Sequence, residues 1–186
     1  MDDAKFTRMD DATVEDFDII NRRYLKHVDA LPDTVLAMLR ELAGDTVGYA
    51  VDRYQHSLQT ASRALRDGAD EESVVVALLH DVGDIVAPEN HAEIGAAILR
   101  PYVSDGNYWL LRHHGIFQGY HWWHLVGRDK NAREQYRAHP MFERTAYFCE
   151  HWDQNSFNPN YDTLPLAAFE PMVRRLFARE PYAFAK

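Results

Sequence analysis

Apolar residues recur along the chain at the three- and four-residue spacing that is typical of amphipathic helices. Glycine or proline stands near several segment ends, where these residues commonly start or stop a helix. The pattern predicts an all-α protein with helices over residues 13–27, 31–42, 50–65, 70–79, 88–102, 107–114, 116–123, 140–153 and 166–179.

Two of these segments need a choice between interpretations. Three successive valines, Val74 to Val76, are also typical of a strand, but the acidic pair Glu71-Glu72 before them favours a helix N-terminus. Gly115 separates two helical patterns, and glycine weakens a helix interior. We therefore expect a buried helix in the first case and a broken helix, interrupted at Gly115, in the second.

The 186 residues, with 46% hydrophobic and 26% charged side chains, suit one globular domain, expected over residues 1–186. The N-terminal residues lack the layout of a signal peptide, and no apolar run has membrane-spanning length. The single cysteine, Cys149, suits a reducing compartment. These features predict a cytoplasmic protein that does not enter a membrane.

The formal net charge of −9 opposes binding to nucleic acid, because proteins that grip phosphate backbones usually present a basic face. A small molecule is therefore the expected partner, while the sequence carries no signal for an oligomeric state. The 10 histidines add candidate chemistry, because most fall between His56 and His151 among paired carboxylates. Such a dense set is typical of a metal site.

A His-Asp pair, His80-Asp81, ends the strongly apolar segment 70–79, where polar side chains are costly unless something satisfies them. Further imidazoles and a carboxylate fall at predicted helix ends and breaks, where side chains from several helices can converge. Imidazole and carboxylate ligands suit Fe, Mn, Zn or Ni, and a carboxylate can bridge two ions. We predict a two-metal site formed by His56, His80, Asp81, His91, His114 and Asp153.

This ordered set, an isolated His, an adjacent His-Asp, two more His and a final Asp, resembles the HD-domain superfamily over about residues 46–153. The resemblance implies a compact helical bundle with a dinuclear metal site. One ion would take the first His, the His-Asp pair and the final Asp. The other would take the two further His and the same bridging carboxylate of Asp81. His113 is a rival to His114 as a ligand.

A closer resemblance is to HD-type mixed-valent diiron oxygenases that cleave the carbon–phosphorus bond of hydroxyphosphonates. It rests on Gly48 with His56-Ser57-Leu58-Gln59, on Ala77-Leu78-Leu79-His80-Asp81-Val82-Gly83, and on Glu93-Ile94-Gly95-Ala96. The segment 113–123 is faintly similar to myo-inositol oxygenase. This resemblance implies an Fe(II)/Fe(III) pair as cofactor, O2 as co-substrate, and cleavage of a C–H bond beside a substrate oxygen.

The sequence departs from those oxygenases at the positions that bind phosphonate. Thr46 and Tyr49 replace a Tyr and a Glu, and Asp84 replaces a His. Gln118 and Glu150 replace a Lys and an Arg. Because a phosphonate dianion needs cationic or donor groups, the metal site carries over but the phosphonate specificity does not.

The substrate is therefore expected to carry a hydroxyl and a neutral or cationic remainder. Aromatic residues near the ligands in sequence, with the carboxylates of Asp84 and Glu150, suit an amine or quaternary ammonium group. These aromatics are Tyr49, Tyr54, Phe117, Tyr120, Trp122, Trp123 and Trp152. Packing in the core is the alternative role for those aromatics. We name Thr46, Tyr49, Asp84, His113, Gln118, Tyr120 and Glu150 as candidates for binding substrate or supporting the ligands, while His121 is expected to make local hydrogen bonds or face solvent.

Three functions compete. A diiron oxygenase acting on a small hydroxylated substrate is favoured by the six-ligand set and the local resemblance. A metal-dependent phosphohydrolase is the alternative, and the lack of Lys and Arg near the predicted ligands counts against a phosphoester. A non-catalytic binding domain is opposed by the complete ligand set.

Overall fold

The computed structural model of the chain describes residues 3–181, and the regular elements of that part are all helical, which confirms the all-α prediction. The remaining residues of the expected domain, 1–2 and 182–186, lie outside the described part. The α-helices are α1 (Val14–Asp29), α2 (Leu31–Glu41), α3 (Arg53–Arg66), α4 (Glu71–Leu79), α5 (His91–Leu99), α6 (Asp105–Trp122), α7 (Phe142–Tyr147) and α8 (Glu170–Phe177).

Helix α4 forms the centre of the core. Every residue from Ser73 to Leu79 is buried, and the helix packs against α3, α6 and α8. Asp70 caps its N-terminus by accepting a hydrogen bond from the Ser73 backbone N–H at 2.8 Å. The valine-rich segment is therefore a buried helix, as its acidic start predicts.

Helix α6 is continuous from Asp105 to Trp122, so the predicted break at Gly115 is wrong. A glycine costs a helix about 1 kcal/mol, which the packing of α5 and of a 3₁₀ helix, Lys130–Tyr136, against α6 outweighs. Because the helix does not break, residues four and seven positions beyond His114 keep the same helical face.

Local capping and a wide turn fix the ends of two helices that carry candidate ligands. Asp52 precedes α3 and accepts hydrogen bonds from the Gln55 N–H at 2.7 Å and the Gly44 N–H at 3.0 Å. The α3 helix therefore starts three residues later than predicted. At the other end of the site, α7 continues into a π-helical turn, Phe148–Asp153.

Helix α1 lies at the edge of the fold, and none of its residues is buried. Within residues 3–181, the helices are too short or too polar to cross a lipid bilayer.

Candidate metal centre

Six side chains predicted as metal ligands converge from five parts of the fold. His80 and Asp81 directly follow α4, His91 begins α5, and Asp153 ends the π-helical turn after α7. Helix ends and π-turns leave backbone geometry irregular, which lets side chains point into a shared space. The set is completed by His56 of α3 and His114 of α6, and the six residues are buried except for the partly exposed His91.

The ring of each of the four histidines is oriented by the same kind of contact, with a backbone carbonyl group. The Nδ1 atom lies close to a backbone carbonyl oxygen: Ser156 for His56 at 3.1 Å, and Ala77 for His80 at 2.9 Å. A carbonyl only accepts, so Nδ1 carries the proton in the neutral ring and Nε2 carries a lone pair. The corresponding carbonyls are those of Pro88 for His91, at 2.9 Å, and Leu111 for His114, at 2.6 Å.

The first group of donors is formed by His56, His80 and two carboxylates. The two Nε2 atoms are 3.1 Å apart. Asp81 Oδ2 lies 3.6 Å from His56 Nε2 and 3.5 Å from His80 Nε2. Asp153 Oδ1 lies 3.2 Å from His56 Nε2 and 3.8 Å from His80 Nε2. Four potential ligand atoms thus surround one small volume.

The second group uses the other oxygen of Asp81. Asp81 Oδ1 lies 3.4 Å from His91 Nε2 and 3.4 Å from His114 Nε2. One carboxylate therefore faces a pair of imidazoles with each of its oxygens. This is the arrangement expected of a carboxylate that bridges two ions.

The electrostatic environment keeps both carboxylates ionised. Burial alone would raise the pKa of Asp81, but the nearby imidazoles of His80, His114 and His56, together with Arg53, hold it well below its usual value. The pKa of Asp153 is likewise lowered, against burial, by the adjacent imidazoles of His56 and His80. Burial lowers the pKa of His80 to about 4, which leaves that ring neutral and able to bind a metal.

The donors fit two metal ions. Each group contains three ligand atoms from different side chains within reach of one cation, and Asp81 belongs to both groups. Imidazole nitrogen and carboxylate oxygen suit divalent transition metals. Backbone acceptors on every Nδ1 are the contacts that usually orient metal-binding imidazoles.

The family model for the HD domain matches residues 53–144. This match supports a relationship of residues 53–144 to the HD-domain superfamily. The matched segment contains His56, His80, Asp81, His91 and His114, while Asp153 lies beyond its end. HD domains bind divalent metals, in agreement with the donor groups present here. A comparison with curated proteins gave no match to the chain.

His113, the rival to His114, belongs to neither group of potential metal ligands. Its ring stacks on Trp109 with centroids 4.1 Å apart, and its Nδ1 lies 2.8 Å from the Trp109 carbonyl oxygen. Neighbours in a helix point about 100° apart, so only one of the two histidines can face Asp81. The structure brings His114 to the centre and leaves His113 outside it.

A cavity of about 440 Å³ opens on the donor groups. Phe157 covers one side, where its ring stacks on His56 with centroids 4.5 Å apart. Tyr49 stacks on Phe157 from outside, at 5.2 Å. The lining residues are Tyr49, Arg53, Asp81, His91, His114, Gly115, Gln118, His121, Trp122, Asp153, Gln154 and Phe157.

Arg53 places a positive charge at the site that the sequence reasoning missed. Its Nη1 lies 3.4 Å from Asp81 Oδ2 and its Nε 3.9 Å from Asp84 Oδ2. The expectation that no Lys or Arg approaches the site is therefore wrong. Arg53 precedes His56 by one helical turn, a spacing that puts both on one face of α3 and could have revealed it.

Only some of the residues that were expected to contact the substrate line the cavity. Tyr49 and Gln118 line it, whereas Thr46, Asp84, Tyr120 and Glu150 are absent from its described walls. Asp84 instead pairs with Arg53, and the Tyr120 ring is covered by the Arg133 guanidinium at 3.6 Å. Glu150 is exposed. The negative charge expected from Asp84 and Glu150 is thus paired or outside the cavity.

The expected aromatic receptor for a cation is also largely occupied. Tyr49 has Phe157 stacked against it, and the Arg53 guanidinium lies 4.9 Å from its ring centroid. Trp152 instead donates a hydrogen bond from Nε1 to Asp67 at 2.9 Å. Among the described aromatic residues expected there, Tyr49 and Trp122 line the cavity. Little of the expected aromatic surface is therefore free to contact an organic cation.

The continuous α6 adds one lining residue, His121, that the predicted break concealed. His114, Gln118 and His121 are spaced by four and three residues, so they share one face of the helix. His121 was expected to face solvent or bond locally, but its Nε2 is buried without a hydrogen-bond partner among residues 3–181. The spacing of His121 from His114, seven residues along one helix, could have predicted its place in the cavity wall.

Proposed function

We propose that this HD domain is a non-haem diiron oxygenase that uses O2 to oxidise a small hydroxylated substrate. The observation that carries the proposal is the shared carboxylate of Asp81, which turns one oxygen to each pair of histidines at the base of a cavity. A nitrogen-rich set of four imidazoles and two carboxylates suits iron. The local sequence resemblance to diiron oxygenases supports the same choice.

The chain's own residues would prepare the site in three ways. One ion would be held by His56, His80, Asp81 and Asp153, and the other by His91, His114 and Asp81. The backbone carbonyls behind each ring keep the Nε2 atoms directed inward. Phe157 covers His56 in the first group, and Tyr49 stacks on Phe157. Iron bound there would supply the redox chemistry that O2 activation needs.

The charges around the cavity support a hydroxylated substrate without a phosphoryl group. Arg53 is the cationic side chain among its described lining residues, and that guanidinium already lies beside Asp81 and Asp84. A dianion would compete with two carboxylates for this single guanidinium. Gln118, at the position where the resembling enzymes carry a phosphonate-binding lysine, is uncharged.

Metal-dependent phosphohydrolysis is the second candidate, and Arg53 is the observation that favours it. A guanidinium beside a dinuclear centre suits a phosphate oxygen. The ions would then supply Lewis acidity for hydrolysis of a phosphoester rather than redox chemistry.

Metal analysis with electron paramagnetic resonance separates the two functions. Protein from iron-supplemented cells is expected to contain about two irons per chain and to give a mixed-valent diiron signal. The signal should be lost in His114→Ala and kept in the adjacent control His113→Ala, because only His114 faces Asp81. Zinc, nickel or manganese in place of iron, together with turnover of phosphoesters, would select the phosphohydrolase.

A further inference from the structure

Two polar atoms in the cavity walls are buried without a protein partner. Gln118 Oε1 and His121 Nε2 make no hydrogen bond within the described part of the chain. The other buried atoms in the same condition belong to Ser57, Arg63 and Arg133, which do not line the cavity. A buried polar atom without a partner is costly, so a pair of them in one cavity indicates a place for a ligand.

The position of the pair follows from the geometry of α6. Gln118 lies four residues and His121 seven residues beyond His114 on one unbroken helix. With a rise of 1.5 Å per residue, they are displaced from His114 by about 6 Å and about 10 Å along the axis. The pair therefore lies apart from the metal centre, toward the Trp122 end of the cavity.

The chemistry of the two atoms limits what they can bind. The amide oxygen of Gln118 accepts a hydrogen bond, and the imidazole nitrogen of His121 can donate or accept one. A hydroxyl does both at once, whereas an anion could not use the amide oxygen. Burial first, and then the nearby Arg133, lowers the pKa of His121, which keeps the ring uncharged at neutral pH.

We propose that His121, together with Gln118, forms a second binding subsite that takes a distal hydroxyl of an elongated substrate. The substrate's reacting hydroxyl would lie at the Asp81 centre, and its distal hydroxyl would lie about 6 to 10 Å away along α6. The connecting segment would pass the aromatic side chains of Phe157 and Trp122. This inference rests on the proposed function for the identity of the reacting end, but not for the binding of the distal hydroxyl.

Calorimetric titration of the metal-loaded protein with terminal diols of four, six, eight and ten carbons tests the subsite. The matching alcohols with one hydroxyl are the reference ligands. A diol of the right length is expected to bind about tenfold more tightly than its matching alcohol, which is the contribution of one satisfied buried hydrogen-bond pair. His121→Phe and Gln118→Leu should abolish that difference, so that each variant binds the diol and its matching alcohol equally tightly.

The control is His124→Phe, which changes an exposed histidine three residues further along the chain. It should keep the full preference for the diol, and His121→Gln should restore part of it. Equal binding of diols and alcohols, no binding of either, or a preference that survives His121→Phe would overturn the subsite. If the metal-loaded parent protein gives no diiron signal but still prefers diols, the proposed oxygenase is overturned and the subsite is not.

Discussion

His56 and His80 hold their Nε2 atoms 3.1 Å apart while the Nδ1 of each ring faces a backbone carbonyl oxygen. In their neutral forms neither ring has a proton to offer the other, so two lone pairs face each other inside the protein. Burial keeps the pKa of His80 at about 4, so protonation of that ring is not available near neutral pH. A bound cation would satisfy both lone pairs.

Chelation is therefore expected to destabilise the protein. Without cations, the opposed nitrogens and the carboxylates of Asp81 and Asp153 lie close together in a buried space. Differential scanning calorimetry should show a fall in melting temperature of about 10 °C on metal removal, reversed when iron is restored. An apo protein as heat-stable as the loaded one would contradict the metal centre. The chelator should not change the melting temperature of the Asp81→Ala variant, which is expected to hold no metal.

Substitutions at Asp81 and His91 should remove different numbers of ions. Asp81 faces both pairs of histidines, so Asp81→Ala should reduce the metal content from about two ions per chain to about none. His91→Ala affects one group and should leave about one ion. Elemental analysis of purified protein measures both. Asp84→Asn is the control, because Asp84 pairs with Arg53 and lies outside both groups. Two tightly held ions in His91→Ala would show that His91 is not a ligand.

Gly83 fixes how closely α5 approaches the centre. A Cβ at this position would lie 2.3 Å from the His91 carbonyl oxygen and 2.9 Å from Ile94 Cβ. Gly83→Ala should therefore push the start of α5 outward, cost about 3 kcal/mol of unfolding free energy, and weaken the ion held by His91. Urea unfolding and metal analysis give the two readouts.

The matched control for Gly83 is Gly115→Ala in α6, where a Cβ would meet nothing within 4 Å. Alanine has a higher helix propensity than glycine, so the unfolding free energy of this variant should rise by up to about 1 kcal/mol. Equal losses in the two variants would mean that contact with α5 is not what excludes a side chain at Gly83.

Glu72 predicts a pH dependence of stability away from the metal centre. It accepts hydrogen bonds from the Ser104 N–H and from Asn107 Nδ2, each at 2.7 Å, and pairs with Arg179. Although burial opposes the change, these contacts lower its pKa from 4.5 to about 2. Stabilisation by the carboxylate is thus complete above the unfolded-state pKa and is lost as the pH falls from 4.5 toward 2.

Glu72→Gln should accordingly cost about 2 kcal/mol of unfolding free energy at neutral pH and much less near pH 3. Unfolding by urea at both pH values, for variant and parent, cancels the shared contribution of the metal centre. Glu41→Gln, at an exposed glutamate, should show little difference at either pH. A penalty independent of pH would show that shape, and not charge, makes Glu72 important.

The sequence by itself determined the helical order and the chemical type of the site. Apolar spacing and acidic starts are local, so they predicted α4 as a buried helix and placed His80 and Asp81 at its end. His91 at the start of α5 and Asp153 at the end of a later helix were predicted for the same reason. Polar residues that interrupt apolar helices are visible without any long-range information.

The tertiary structure alone decided the walls around those ligands. Packing against α6 outweighed the weak helix propensity of Gly115, and this fixed the phase that turns His114 and His121 inward and His113 outward. The stacking of Phe157 on His56 joins residues 101 positions apart, a contact that no local pattern encodes. The position of the Arg53 charge was also decided by tertiary structure, because its approach to Asp81 depends on how α3 packs against the end of α4. Periodicity records which face of a helix is buried, but only packing determines what that face meets.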